Sequence, residues 1–111
     1  MISKAQRLDR GVFMEVLKRG RKVHTATYSL YYMPAPTFRA AVVVSKKIAR
    51  RAVVRNHIRR RTYTALRSLE ISQGYFLVLM KAPGIECSFF ELVQSLEVAT
   101  AQIVGFRGHS R

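Results

Sequence analysis

The spacing of hydrophobic residues changes several times along this chain, and each spacing predicts a different element. The first apolar set recurs at the spacing of one buried helix face: Val12, Phe13, Val16 and Leu17. Asp9 stands where an N-cap residue is expected, and Gly20 stands where helices commonly end. We therefore predict a first helix between these two residues.

The next segments have the β-branched and aromatic content of strands. Ala26–Met33 is rich in tyrosine, and Phe38–Ser45 is rich in valine and small residues. We predict that these two segments pair as a hairpin. The three consecutive valines at 42–44 favour a central strand that is covered on both faces.

From Ala52 to Leu69 the pattern takes a helical period. One face of this second predicted helix is mainly apolar: Val54, Ile58, Thr62, Ala65, Leu66 and Leu69. Another face is polar and cationic: Arg55, Asn56, Arg59, Arg60, Tyr63 and Arg67. The sequence therefore predicts an amphipathic helix with a cationic outer stripe.

Beyond Gly74, the apolar segment Tyr75–Lys81 predicts another strand. Ser88 and Glu91 then have the spacing of a capping box at the start of a third helix. The buried stripe predicted for this helix comprises Phe89, Leu92, Leu96, Ala99 and Ile103. Residues 105–111 are predicted to be a frayed tail.

The order of elements is α-β-β-β-α-β-α if the segment 22–45 supplies three short strands, and α-β-β-α-β-α if it supplies two. Either order predicts an α+β fold in which helices and one sheet form a two-layer αβ sandwich. The length of 111 residues predicts one domain, 1–111. One face of the sheet should pack on helices, and the function then depends on what covers the other face.

Charge is concentrated in the middle of the chain. From Val16 to Leu69 there is no acidic residue, yet this segment holds fourteen of the twenty Lys and Arg residues. The rest of the chain is balanced, so the net charge of +14 arises in this segment. Self-repulsion of this size disfavours compaction, and nucleic acid would offset it. The alternative is a solvated surface, although such surfaces normally mix both signs.

The composition argues against several other classes of protein. Cys87 is the only cysteine, so the chain can form neither an internal disulfide nor a zinc-finger site. Asp9 is the only Asp and the five Glu are scattered, whereas two-metal nucleases need converging carboxylates. We therefore expect no catalytic residue and no metal ligand in the protein. No targeting segment and no apolar run of the ~18 residues of a membrane span is found, so we expect a cytoplasmic protein.

Aromatic residues near the basic segment could stack on unpaired bases, a contact worth ~1–3 kcal/mol for any sequence. The candidates are Phe13, Tyr28, Tyr31 and Tyr32. On a two-residue period Tyr28 and Tyr32 share one face of a strand and Tyr31 takes the other. Core packing is an equally good explanation for any one of them.

The chain resembles the bacterial ribonuclease P protein subunit, most specifically over Ser45–Arg67, SKKIARRAVVRNHIRRRTYTALR. In that family a strand ends in Ser-Lys-Lys and the next helix carries Ala-Val-x-Arg-Asn-Arg-Ile-Lys-Arg. The matching residues are Arg51, Ala52, Val53, Arg55, Asn56, Ile58, Arg59 and Arg60. RLDRGVFMEVLKRGRKV and GYFLVLMKAP also resemble family segments, so the likeness covers nearly the whole chain.

The resemblance implies a partner and a mechanism. Members pair with a large catalytic RNA that, with Mg²⁺, removes the 5′ leader from precursor tRNA. The Mg²⁺ would be bound chiefly by the RNA, and the free protein is expected to be monomeric. The implied fold contains a left-handed βαβ crossover around the basic helix, an exception to the usual handedness.

The resemblance also assigns residues to two surfaces. The residues matched to catalytic-RNA binding are Lys46, Lys47, Arg51, Arg55, Asn56, Arg59, Arg60 and Arg67. Phe13 and Tyr31 would line a cleft for the leader, between the first helix and the sheet. The chain departs from the family pattern at His57, which replaces an Arg, at Leu17, which replaces a cleft aromatic, and at Tyr63, where Arg is common.

Two other functions fit parts of the sequence. A structural RNA-binding protein, such as a ribosomal component, would use the same charge and fold but would not need a cleft for a leader. A DNA-binding helix-turn-helix would need a short helix before Ala52, where the sequence predicts a strand.

Overall fold

The computed structural model describes residues 7–81 and 88–109. Its elements follow the predicted order α-β-β-β-α-β-α: α1 (Arg10–Arg19), β1 (Arg21–His24), β2 (Tyr28–Met33), β3 (Phe38–Val43), α2 (Ala52–Ser68), β4 (Gly74–Met80) and α3 (Phe89–His109). The α+β prediction is confirmed. The helix α3 continues past Gly105, where the sequence predicted that a tail begins.

The sheet has the strand order β1-β2-β4-β3, so the predicted hairpin of β2 with β3 is wrong. The hairpin joins β1 to β2 instead, and β2 also runs antiparallel to β4. The strand β3 lies parallel to β4, and parallel neighbours need a crossover connection. The helix α2 provides that crossover. The strand β4 that follows it lies between β2 and β3, so these two strands are not paired although they are consecutive in sequence.

The β1–β2 turn is organised by the side chain of Thr25. Its hydroxyl oxygen accepts hydrogen bonds from the backbone N–H groups of Thr27 (3.2 Å) and Tyr28 (3.1 Å). Hydroxyl side chains that bond to the backbone two or three residues later favour such turns. These hydrogen bonds stabilise the turn that pairs β1 with β2, although the turn contains no glycine or proline.

The strand β3 lies at an edge of the sheet, so the prediction of a central strand from Val42–Val44 is wrong. The exposed side of this edge is closed by two hydrogen bonds. The N–H of Leu8 donates to the carbonyl of Ala40 (3.2 Å), and the N–H of Val42 donates to the hydroxyl oxygen of Tyr63 (3.2 Å). Satisfied edge groups offer fewer pairing sites to other strands.

One face of the sheet packs against α2 and α3 and forms the main core. At its centre, Phe76 lies 5.1 Å from Tyr32 and 5.9 Å from Phe38 between ring centroids. The predicted buried stripe of α3 is confirmed at four positions: Leu92, Leu96, Ala99 and Ile103. It is wrong at Phe89, which is 41% exposed because it opens the helix beside its capping box of Ser88 and Glu91.

The helix α1 packs on the other face of the sheet, against β2 and β4. Asp9 caps it by accepting the N–H of Val12 (2.9 Å), and Gly20 ends it, as predicted. Val16 on α1 and Leu77 on β4 are fully buried but lie outside the main core, because both belong to this second face. Tyr31 and Leu79 on the same face are only half-buried, so the helix covers only part of it.

The end of α2 holds a residue in an unfavourable backbone conformation. Glu70 has φ of 56°, the left-handed region in which a non-glycine residue loses ~1–2 kcal/mol. We expect Glu70→Gly to stabilise the protein by up to ~1 kcal/mol, because glycine adopts this conformation without steric cost. Urea unfolding measures the change, and Glu70→Ala is the control that removes the charge but keeps the strain. Equal effects of both substitutions would contradict the prediction.

Candidate nucleic-acid interface

The outer face of α2 is a cationic surface, as predicted. Its first turn contains no acidic residue, and Asn56, Arg60 and Arg67 are exposed. Arg59 is half-buried beside them. Guanidinium groups remain charged and present planar sets of donors that match phosphate oxygens.

Part of this surface forms a groove of ≈ 200 Å³. The groove is lined by Arg7, Asn56, Arg59, Arg60 and Tyr63. Within it, Nη1 of Arg59 donates a hydrogen bond to Oδ1 of Asn56 (2.7 Å). Because the Asn56 oxygen is used in this way, its amide offers N–H donors to a ligand. Three guanidinium groups and an amide donor around one concave surface suit an anion.

Arg7 is the residue of this groove that the sequence interpretation missed. It lies far from α2 in sequence and reaches the groove because it forms a parallel bridge with Ala40 on the edge of β3. The hydrogen bond from the adjacent Leu8 to the same strand holds this segment in place. A cation before α1 was visible in the sequence, but its position depends on a tertiary contact that no local pattern predicts.

Tyr63 does not belong to the cationic stripe on which the sequence placed it. Tyr63 is only 8% exposed, and its hydroxyl oxygen accepts a hydrogen bond from the N–H of Val42 in β3. Tyr63 therefore lines the groove as a mostly buried ring and adds no charge to it. Its departure from the arginine of the family pattern thus has a structural reason, since a buried arginine would need partners for its charge at this position.

Arg55 also differs from the prediction, because its guanidinium is turned toward the protein. Nη1 of Arg55 donates to the carbonyl oxygens of Ala49 (3.1 Å) and Arg50 (2.8 Å). These carbonyls belong to the loop that precedes α2, and Arg55 is half-buried against it. Arg55 therefore braces the loop by one nitrogen and leaves only its remaining N–H groups for a ligand.

The braced loop carries three of the predicted RNA-contacting residues. Lys46 and Lys47 are exposed in a turn, and Arg51 is exposed at the N-cap position of α2. No side chain caps this helix end, so its partial positive charge adds to that of the loop. The loop and the groove together extend the cationic surface along α2.

The aromatic residues divide between the two faces of the sheet, as the two-residue period predicts. Tyr28 and Tyr32 are 1% and 6% exposed in the main core. Tyr31 is half-buried on the opposite face, which is the face that α1 partly covers. On α1, Phe13 and Leu17 are also half-buried. These three residues thus belong to α1 and to the sheet face on which it packs, and all three are partly open to solvent.

The sequence matches the model of the Ribonuclease P family over residues 2–104. The chain belongs to this family. The Ribonuclease P protein component of Thermus brockianus is 36% identical over 80 residues, which cover 72% of this chain and 49% of that protein. This chain therefore spans about half the length of the Thermus relatives. The protein component of Picosynechococcus is 28% identical and covers 87% of this chain and 88% of its own.

Solved structures agree with the family assignment. The RNase P protein of Staphylococcus aureus superposes with a TM-score of 0.75 at 25% identity, covering 90% of this chain and 98% of that one. The RNase P protein of Thermotoga maritima has a TM-score of 0.73 at 18% identity and supports the fold. None of the three helices, over the residues described, has the length and apolar content of a membrane span.

Proposed function

We propose that this protein is the protein subunit of ribonuclease P, which binds a catalytic RNA and the 5′ leader of precursor tRNA. The observation that carries the proposal is the presence of two separate surfaces. One is the cationic groove and loop on α2, and the other is the half-open sheet face beside α1. A structural RNA-binding protein would need only the first.

The catalytic RNA is assigned to the groove and the adjoining loop. Arg59 and Arg60 supply charged forks, Asn56 supplies amide donors, and Arg7 adds a cation from the other side. Each phosphate contact of this kind contributes roughly 1–3 kcal/mol and makes binding depend on salt. Arg55 acts mainly by positioning the loop, which is a different role from the direct contact expected from the family pattern.

The leader is assigned to the sheet face. Single-stranded nucleic acid binds to aromatic platforms because every base has a π-face that stacks without sequence preference. Tyr31 on β2 and Phe13 on α1 are the half-buried rings that border this face. Half-burial suits such a role, because the ring edge is held by the protein while one surface stays open.

The chemistry is assigned to the RNA. Over residues 7–81 and 88–109, no three His, Cys, Asp or Glu side chains converge to hold a metal ion. The donor set of the described chain therefore does not fit a two-metal nuclease centre. We propose that the RNA would hold the Mg²⁺ that the cleavage needs, and that the protein positions the substrate and screens charge.

The proposal is tested by reconstitution with a catalytic RNA of the ribonuclease P type. The assembled complex is expected to bind leader-bearing precursor tRNA more tightly than mature tRNA. Phe13→Ala and Tyr31→Ala should each reduce that preference by ~1–3 kcal/mol, because each removes a stacking surface. Equilibrium binding of both RNAs measures the difference.

Met14→Ala is the control, since Met14 is an exposed apolar residue of the same helix. Melting temperatures distinguish binding from packing. Equal losses of affinity for the two RNAs, together with a lower melting temperature, would assign Phe13 and Tyr31 to the core. No RNA-dependent cleavage at the leader junction by the wild-type complex would refute the proposed function itself.

A further inference from the structure

The strand β1 presents two basic side chains on the sheet face that holds Tyr31. In the β1–β2 pairing, Lys22 is opposite Tyr31 and His24 is opposite Ser29. Both basic residues are exposed, whereas Arg21 and Val23 between and beside them point to the other face. Neither β1 nor β2 contains an acidic residue that could pair with the charge of Lys22. The result is a rim of one ammonium and one imidazole along one side of the sheet face.

The imidazole of His24 is held in place by a buried partner. Its Nδ1 lies 2.7 Å from Oγ of Ser29, which is only 6% exposed. The side-chain bond shows that both residues lie on one face of the sheet, and the two-residue period of β2 places Tyr31 on that face as well. Because Nδ1 is engaged, Nε2 is the nitrogen that remains for a ligand. When the Ser29 hydroxyl donates, Nε2 carries the proton and donates to an oxygen of the ligand.

Lys22 is placed over the ring that is the proposed stacking platform. Its Nζ lies 6.0 Å from the centroid of Tyr31, at the outer limit of a cation–π contact. An ammonium at that distance is weakly held and stays available to an anion. Lys22 and His24 are two residues apart on one strand, so their side chains are separated by ~6.6–6.8 Å along it.

We propose that Lys22 and His24 bind the phosphate backbone of the RNA strand whose bases stack on Tyr31. The rim then fixes the side on which the backbone of the strand lies, with the phosphates along β1 and the bases toward α1. This inference rests on the proposed function, since it adds phosphate contacts to the leader surface. The ligand chemistry is that of a single-stranded polyanion, and stacking alone would not fix where its backbone lies.

The test uses the reconstituted complex with Lys22→Ala, His24→Ala and the double variant. Each single change is expected to weaken binding of leader-bearing precursor tRNA by roughly three- to tenfold, and Lys22→Ala should lower the salt slope by about one. Affinity for mature tRNA should stay unchanged. His24→Gln should retain part of the affinity, because the glutamine amide supplies an N–H donor. Lys18→Ala, an exposed lysine of α1, controls for the loss of one positive charge.

The outcomes separate this inference from the function on which it rests. If Tyr31→Ala reduces the preference for the leader but the Lys22 and His24 variants do not, the rim is refuted and the leader surface stands. If the double variant weakens both RNAs equally and lowers the melting temperature, His24 and Lys22 have a structural role and the inference fails. If the wild-type complex shows no preference for the leader, both proposals fail.

Discussion

Replacing Gly74 by alanine is expected to lower the free energy of unfolding by about 2–4 kcal/mol, from backbone strain and overpacking together. Gly74 begins β4 with φ of +113°, a conformation that side chains rarely adopt. A Cβ there would lie 2.7 Å from the ring of Tyr32 and 2.9 Å from the ring of Phe76. Those two rings are packed at the centre of the main core and have little room to move.

Gly11→Ala is the matched control for this prediction. Gly11 lies in the first turn of α1, where a Cβ would meet only Oδ1 of Asp9, at an ordinary 3.6 Å. That substitution should be neutral or stabilise the protein by up to about 1 kcal/mol, because alanine is the better helix former. Chemical denaturation of both variants measures the difference. A Gly74→Ala protein as stable as the wild type would show that β4 does not need glycine.

Removing Arg59 and Arg60 together is expected to weaken binding of the catalytic RNA by about 2–6 kcal/mol, since each phosphate contact contributes roughly 1–3 kcal/mol. The magnitude of the salt slope should fall by about two. The fold should be retained, because neither side chain is in the main core. Filter binding or fluorescence titration over a range of salt concentrations gives both quantities.

The control removes two positive charges from elsewhere. Lys18 and Arg19 are exposed in the last turn of α1, outside the groove. Their joint replacement by alanine lowers the net charge equally but should change the affinity much less. If both double variants lose the same affinity, binding depends on total charge, and the groove on α2 has no special part in it.

The helices were predictable from sequence because their signals are local. Asp9 and Gly20 bound α1 as expected, and the capping box of Ser88 and Glu91 opens α3. The apolar period of Ala52–Leu69 likewise located α2 within one residue. In each case the hydrogen bonds that define the element join residues three or four apart, so a short window of sequence contains the whole cause.

The sheet was less predictable because strand partners are set by distant contacts. The valines at 42–44 look like a central strand, yet β3 is an edge strand whose second side is closed by Tyr63 and Leu8. The spacing of hydrophobic residues could not show that β3 pairs with β4, the strand that follows α2 in the chain. The interior strands are β2 and β4, and Phe76, Leu77 and Val78 of β4 are fully buried in succession.

The candidate site was predicted in composition but not in geometry. The spacing on α2 correctly grouped Asn56, Arg59 and Arg60, because they share one helix face. It could not show that the guanidinium of Arg55 turns back to the preceding loop, because the sequence does not reveal which backbone carbonyl groups of a loop can accept a side-chain hydrogen bond. Arg7 was missed for the related reason that its place in the groove depends on pairing with β3.

The bond between Tyr63 and β3 gives the edge strand a measurable signature. The N–H of Val42 would be open to water on an ordinary sheet edge, but here it donates to a side chain of α2. Its hydrogen exchange with solvent should therefore be slow, and it should become fast whenever α2 moves away from the sheet. A single backbone amide thus reports how often the helix that carries the groove leaves its docked position.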